Sequence, residues 1–456
     1  MILHIRLLIL LAPVFVLMPV HAQPVLADAE TRATQMPDIM SLEDRAALRD
    51  RWLQTRLETV VPTLMREKGV DMWIMIAREY VEDPVVATML NAESMHARRR
   101  TVLIFHDPGD GAPVERLTVS RYGLGGLFAP AWNPEDQPDQ WARIRDIVTA
   151  RDPRRIALNI SSGTALADGL TASQRDDLLA ALPPDYRQRI VPAEPLAVGW
   201  LETRIPAELD AYPGIVRIAH AIIAQGFSAE VVKPGTTTAK DVVWWFRERI
   251  AGLKLDTWFQ PSVSIMRQGE TAELDKDAVI KPGDLLWTDF GLTYLGLNTD
   301  TQHMAYVLKP GENDAPDGLK AGLAAANQIQ DALTASFKTG RSGNDMLALA
   351  RETALSKGLT PSIYSHPLGY HGHGAGAAIG FWDNQEPTPR GEPTLRPETA
   401  WSIELAASHA VPEWGGQTVS FRLEEDGWFD GEVFRYFDGR QTTFHLIGHD
   451  AADPAR

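Results

Sequence analysis

The sequence predicts an α+β fold in two parts, an N-terminal α/β domain followed by a second domain rich in strands near its end. Three observations carry this. Up to about residue 200, β-prone apolar runs alternate with helical stretches. Between Trp200 and Pro206 the pattern resets, and a proline opens a new helical segment. The last hundred residues are strand and turn, with no repeat or low-complexity tract. The expected divisions are a leader at 1–22, a first domain at 23–205 and a second at 206–456.

Residues 1–22 carry Arg6, an apolar run from Leu7 to Val20 broken by Pro13 and Pro19, and then Val20-His21-Ala22. That is the pattern of a secretory leader cut near Ala22, so a periplasmic or secreted protein is expected. A 14-residue run with two prolines spans a bilayer poorly, which argues against a stable membrane anchor. No cysteine follows the run, so a lipoprotein anchor is excluded. A polar arm continues to about residue 42.

Leu48, Trp52, Leu57, Val60, Val61, Leu64 and Met65 then recur at helical spacing, and Gly69 ends that helix. Strands are expected at Val70–Ala77, Thr101–His106, Leu117–Arg121 and Ile156–Ile160, with a helix at Ala172–Leu182. Gly123–Gly126 lacks the strand-to-helix flanks of a phosphate-binding loop and reads as an ordinary loop. In the second part a helix from Ile215 to Gln225 is expected after Pro213-Gly214. Another, opened by Thr238 or Asp241, carries Val242, Val243, Trp245 and Ile250. Two more follow at Asp317–Lys338 and Asn344–Lys357, the latter with Ser342 as N-cap and Gly358 as stop.

Composition narrows the chemistry. With 44% hydrophobic and 23% charged residues over 456 positions, the chain has ample material for a core. It contains no cysteine, which removes disulfides, thiol nucleophiles and cysteine-zinc sites, so any metal must be held by His, Asp and Glu. Net charge is -16, or about -17 without Arg6, and disfavours nucleic acid or anionic membrane as a partner.

The stretch Asp284–Leu308 reads as two strands around a Gly-containing connection, and each carries an aspartate, Asp289 and Asp300. By alternation Asp289 points with Leu285 and Trp287 toward an interior. An ionised carboxylate there needs a cation or a proton, so two of them suggest a metal site. Between Ser365 and Gly376, His366, His371 and His373 lie among four glycines, and glycine lets backbone approach a buried centre. Glu404 alternates away from Trp401, Ile403 and Leu405, which by itself places it toward solvent. Thr418, Ser420, Arg422 and Glu424 share one strand face, where Arg422 can pair with Glu424.

Together, Asp289, Asp300, His373, Glu404 and Glu424, at separations of 11, 73, 31 and 20, resemble the ligand set of the pita-bread metallopeptidases. TDFG at Thr288–Gly291, YHGHGAG at Tyr370–Gly376 and Arg422-Leu-Glu424 are each similar to that family's local motifs. The resemblance implies a creatinase-like N-terminal domain before a pita-bread domain, as in aminopeptidase P and prolidase. It further implies two divalent metal ions, drawn from Mn, Co, Zn or Fe, that activate water against a peptide bond. Asp300 and Glu424 would bridge them, Asp289 and His373 would complete them, and Glu404 would both ligate and take the proton of the attacking water. Arg422 would sit behind the carboxylates.

Two histidines implied by the resemblance are missing, one near Thr271 and one at Gly380, where nearby Trp382 stands instead. Gln302 occupies a position where the family places threonine. His366 and His371 are candidates to supply the lost catalytic donors, and His371 is an alternative ligand to His373. The expected function is Xaa-Pro aminopeptidase or Xaa-Pro dipeptidase activity on proline-containing peptides, in a homodimer. The alternatives are hydrolysis of a different C–N bond and peptide binding without catalysis.

Overall fold

The structure, a computed structural model, describes residues 36–448; the expected leader and the arm as far as residue 35 lie outside the described residues. The first helix, Leu42–Lys68, starts at Ser41, whose hydroxyl accepts the Asp44 N–H at 3.1 Å. It stops at Gly69 in a left-handed conformation, φ 59°. Its buried stripe of Trp52, Leu57, Val61, Leu64 and Met65 packs against a sheet of six strands. These are β1 Met72–Arg78, β2 Arg100–His106, β3 Glu115–Thr118, β4 Ala129–Pro130, β5 Ile156–Leu158 and β6 Ile190–Pro192. They run in the order β4-β3-β2-β1-β5-β6. Helices cover both faces, so β1 is buried along six of its seven residues and reads as a continuous apolar run rather than an alternating one.

Two helix boundaries differ from expectation: the helix expected to reach Lys338 ends at Thr334, and the one expected from Ile215 starts earlier. A single helix covers Pro206–Gly226 and runs through Pro213, rather than starting after it. Pro206 occupies the first turn, where its missing N–H costs nothing, and the Glu208 carboxylate accepts the Ile205 N–H at 3.0 Å. An interior proline costs about 3 kcal/mol. Leu209, Tyr212, Ile215, Val216, Ile218, Ile222 and Ile223 are all buried and hold the helix across it.

The second sheet contains nine of the strands among the described residues. Its path is β12 (Pro361–Ile363), β14 (Thr399–Val411), β15 (Gln417–Phe429), β11 (Thr301–Val307), β8 (Leu285–Phe290) and β7 (Ser262–Met266). Off this path, β13 (His366–Leu368) pairs with β14, β16 (Phe434–Tyr436) with β15 and β17 (His445–Ile447) with β11. Between β8 and β11 a small hairpin, β9 (Thr293–Tyr294) and β10 (Leu297–Asn298), turns at Leu295-Gly296 with φ 57° and 79°. Leu285, Trp287, Tyr306, Trp401 and Phe421 belong to one buried cluster that extends to the helices Asp317–Thr334 and Gly343–Ser356. Leu286, Phe290 and Val307 join the other cluster, with Pro206–Gly226 and Ala239–Gly252. The sheet is a wall with helices on one face: on β15, Phe421 meets the helix Asp317–Thr334 and Glu425, four residues on and on the same side, meets His220 of the helix Pro206–Gly226. Among the described residues no helix is long and apolar enough to cross a membrane.

Candidate metal centre

A row of polar residues crosses this wall at one level. Asp289 on β8 is the register partner of Gln302 on β11, Gln302 of Glu424 on β15, and Glu424 of Glu404 on β14. Residues two apart share a face, so Asp300 and Ser402 join the same side. β13 adds His366 opposite Ser402. Glu424 is 1% exposed, His366 3%, Asp300 4% and Glu404 6%. The solvent-facing position that alternation alone assigns to Glu404 is corrected: β13, β15 and Trp382 cover it.

Two glutamates directly opposite one another on neighbouring strands repel. The donors around them are mostly neutral. Gln302 Nε2 donates to Glu404 Oε1 at 2.5 Å and Glu424 Oε2 at 2.8 Å, Trp382 Nε1 donates to Glu404 Oε1 at 3.0 Å, and the Ser402 hydroxyl donates to Glu424. Burial lifts Asp289 to about 7 and Glu404 to about 8, and Asp289 adds its repulsion to the latter. Asp300 and Glu424 are pushed well above the carboxylate range by burial and then by the neighbouring acids.

His366 completes the arrangement. Its Nδ1 lies 3.0 Å from the Pro367 carbonyl, so Nδ1 carries the proton and Nε2 is left with a free lone pair. That Nε2 sits 3.5 Å from Asp300 Oδ2, 3.7 Å from Glu424 Oε1 and 3.9 Å from Glu404 Oε2. Burial, then His373 beside it, depresses His366 to about 3, which keeps the ring neutral. Neither His366 Nε2 nor Asp289 Oδ1 has a hydrogen-bond partner, although both are buried. Two orphaned ligand atoms among four mutually repelling carboxylates are the donor set of a hard or borderline divalent cation. Asp289, Asp300 and Glu424 offer atoms within 4.8 Å of one another; so do His366, Glu404 and Glu424, and Asp300, His366 and His373. Because Asp300 and Glu424 recur in these groups, the residues fit two adjacent cations.

The other histidines separate. His373 is exposed, with its ring 4.8 Å from that of His366 and 5.2 Å from that of Trp258. His371 is not brought to the carboxylates; it lines a cavity with Arg49, Asp50, Trp52 and Leu295. The glycines on either side of His373 are needed for space. A Cβ on Gly372 would lie 2.2 Å from the Trp258 ring, and one on Gly374 would lie 2.5 Å from the Pro367 carbonyl oxygen. Gly380, at φ 71° and with a Cβ position 2.2 Å from Ile363 O, has no room for the histidine that the resemblance implies there. Arg422 does not pair with Glu424. Its guanidinium lies 3.7 Å over the Trp287 ring and meets Glu273, in the segment where the other implied histidine is missing.

Metallopeptidase family M24 matches residues 214–428 by its sequence profile. Those residues are an M24 metallopeptidase domain. Among solved structures, an X-Pro aminopeptidase from Thermotoga maritima MSB8 is similar over 85% of this chain and 99% of its own, with 15% identity and a TM-score of 0.59. A dipeptidase from Pyrococcus horikoshii OT3 covers 86% and 99%, with 17% identity and a TM-score of 0.57. An Xaa-Pro dipeptidase from Bacillus anthracis covers 88% and 99%, with 16% identity and a TM-score of 0.54. At these identities the likeness establishes the pita-bread fold. No curated protein matches the sequence.

Within the M24 domain, sequence reasoning overlooked the role of three residues. Gln302 holds two of the glutamates, Ser402 holds Glu424, and Asp426 accepts the Asp300 N–H at 3.1 Å. A signal existed for each: Gln302 lies two residues from Asp300, and Ser402 and Asp426 lie two from Glu404 and Glu424, so alternation alone puts them on the ligand face.

Proposed function

We propose that this metallopeptidase is an exported, dinuclear enzyme that cleaves Xaa-Pro peptides, as an Xaa-Pro aminopeptidase or dipeptidase. The observation that carries it is the convergence of Asp289, Asp300, Glu404 and Glu424 on the orphaned Nε2 of His366. Asp289, Asp300 and Glu424 would hold one cation; His366, Glu404 and Glu424 would hold the other, with His373 at the solvent edge. Mn, Co, Zn or Fe suits a set of carboxylates with imidazole. Bound there, such cations supply Lewis acidity and lower the pKa of water.

The chain's own residues do the rest. Glu404, fixed by Gln302 and Trp382, is placed to take a proton from attacking water and return it to the leaving amine. Trp382 is 42% exposed while its indole N–H holds Glu404, and Tyr364 stacks on Phe381 with ring centroids 5.6 Å apart. This aromatic rim offers a flat apolar seat for a proline ring. The names of the neighbouring structures support proline preference. The leader pattern supports export, and the family resemblance supports a homodimer. Loss of the two implied histidines favours a second reading, hydrolysis of a different C–N bond on the same cations.

The test is elemental analysis of the purified protein and its Asp289→Ala variant, alongside amino-acid release from Xaa-Pro di- and tripeptides. At least two ions per chain, fewer in the variant, and release abolished in Glu404→Ala are expected. Ions without release would favour the second reading; peptide affinity without ions would favour a binding protein.

A further inference from the structure

Directly behind the row of carboxylates, on the opposite face of the wall, lies a second cluster that the proposed hydrolysis does not use. His303 follows Gln302 on β11 and Glu425 follows Glu424 on β15, and one step along a strand reverses the face. Both therefore point toward the helix Pro206–Gly226, which contributes His220. The side chains of His220, His303 and Glu425 are 8%, 6% and 0% exposed. His220 Nε2 lies 3.2 Å from Glu425 Oε2, and His303 Nε2 lies 3.0 Å from Glu425 Oε1. All three residues offer ligand atoms within 4.8 Å of one another.

The far side of each ring is also held. His220 Nδ1 is 3.2 Å from Asp438 Oδ2, and Asp438 is itself gripped by Arg217 at 2.6 Å. His303 Nδ1 is 3.1 Å from His445 Nε2. The Gln441 N–H donates to Glu425 Oε1 at 2.6 Å. Metal-bound histidines characteristically have the second ring nitrogen engaged by a carboxylate or another polar group, because this orients the ring and raises its basicity. Nitrogen and oxygen ligands about 2.0–2.2 Å from one tetrahedral zinc ion stand roughly 3.3–3.6 Å apart. The two rings stand a few tenths of an ångström inside that, so small ring shifts would admit the ion.

We propose that His220, His303 and Glu425 form a separate, structural divalent-cation site of the zinc class, pinning the helix Pro206–Gly226 to the back of the sheet. Two imidazoles and one carboxylate select zinc or cobalt over calcium or magnesium. Filling it releases the ring proton that His220 shares with Glu425, while the neutral His303 ring keeps its proton on Nδ1, facing His445. The same groups can also close as a hydrogen-bonded chain from Asp438 to His445, and that is the alternative the experiment must separate.

The site stands apart from the carboxylate row, so it is best read in the full-length protein carrying Asp289→Ala and His366→Ala, where neither cation of the row keeps its ligand set. Stripped protein is titrated with Co²⁺ and then Zn²⁺. The expected result is one tightly held ion per chain, with the visible absorption of a low-coordinate cobalt centre bound by nitrogen and oxygen. Zinc should bleach that absorption, and adding His220→Gln should remove it. If that variant fails to fold, His303→Gln in the same background gives the same reading, because it removes the other imidazole of the site. No such absorption, or an equal ion count with and without His220, would overturn the proposal and leave the hydrogen-bonded chain.

Discussion

Gln302 and Glu424 face each other across β11 and β15, and the amide nitrogen of the first lies 2.8 Å from a carboxylate oxygen of the second. The same nitrogen reaches Glu404, while Trp287 Nε1 donates to the amide oxygen at 3.2 Å. Gln302 thus spaces two like charges and is itself oriented from behind. Gln302→Leu keeps the volume and removes both donors. Metal affinity should fall about 10- to 100-fold, as when an outer partner of a ligand is lost. Competition with a chromophoric chelator measures this, and unchanged affinity would assign Gln302 to packing alone.

The three histidines of the glycine-rich stretch should rank by position. His366→Ala removes the nitrogen nearest three carboxylates and should lower kcat/KM by about 10²-fold or more, with loss of bound metal. His373→Ala, at the exposed edge, should cost less. His371→Ala, in the separate cavity, should leave activity within a few-fold of the parent. Metal counts beside the kinetics test the ranking, and a larger loss in His371→Ala than in His366→Ala would reverse it.

Arg56 and Glu208 form an ion pair of 2.9 Å with both side chains wholly buried. Arg56 also donates to the Thr203 carbonyl at 2.6 Å, and the Tyr370 hydroxyl donates to Glu208 at 2.8 Å. This ties the first helix to the start of Pro206–Gly226 and to the histidine-bearing loop. Arg204 also faces Glu208, at 3.7 Å and wholly buried, so Arg56→Met leaves the carboxylate one cation and removes the buried hydrogen bonds of the other. It should cost about 1–3 kcal/mol in urea unfolding. Adding Glu208→Gln should not recover that loss, since Arg204 then loses its carboxylate.

Glu202 is buried next to Arg396, 3.6 Å away, and burial pushes its carboxyl up to about 8. The folded state then keeps a proton that the unfolded chain gives up near 4.5. Its contribution to stability is fully present below that value and is lost as pH rises through about 8. The slope from this group approaches about 1.4 kcal/mol per pH unit between the two values. Thermal unfolding of Glu202→Gln against the parent from pH 5 to 8.5 should show a flatter profile for the variant. Parallel profiles would mean that Glu202 is already ionised in the fold.

Much of this was written locally. The strand runs, the Leu42–Lys68 helix with its Ser41 and Gly69 ends, and the Ser342 cap depend on periodicity and on residues a few positions apart, so one chain suffices to read them. Asp289 and Asp300 were legible for the same reason, because a carboxylate on an apolar strand needs explaining wherever it occurs. The helical segment that opens at Pro206 does not break at Pro213-Gly214 as expected, because proline signals a boundary only when packing does not override it.

What the sequence by itself determined is the α+β pita-bread architecture and the acids that could meet within it. Which groups do meet was decided by the tertiary structure. Strand register brought Gln302 into line with Glu404 and Glu424, 102 and 122 residues further along the chain. Glycine-permitted close packing turned His366 inward and His371 away. Alternation then gave the same two strands a second cluster on their other face, which became visible once the helix carrying His220 was laid against it. Register and helix docking arise from burial across the whole chain, and no local pattern encodes them.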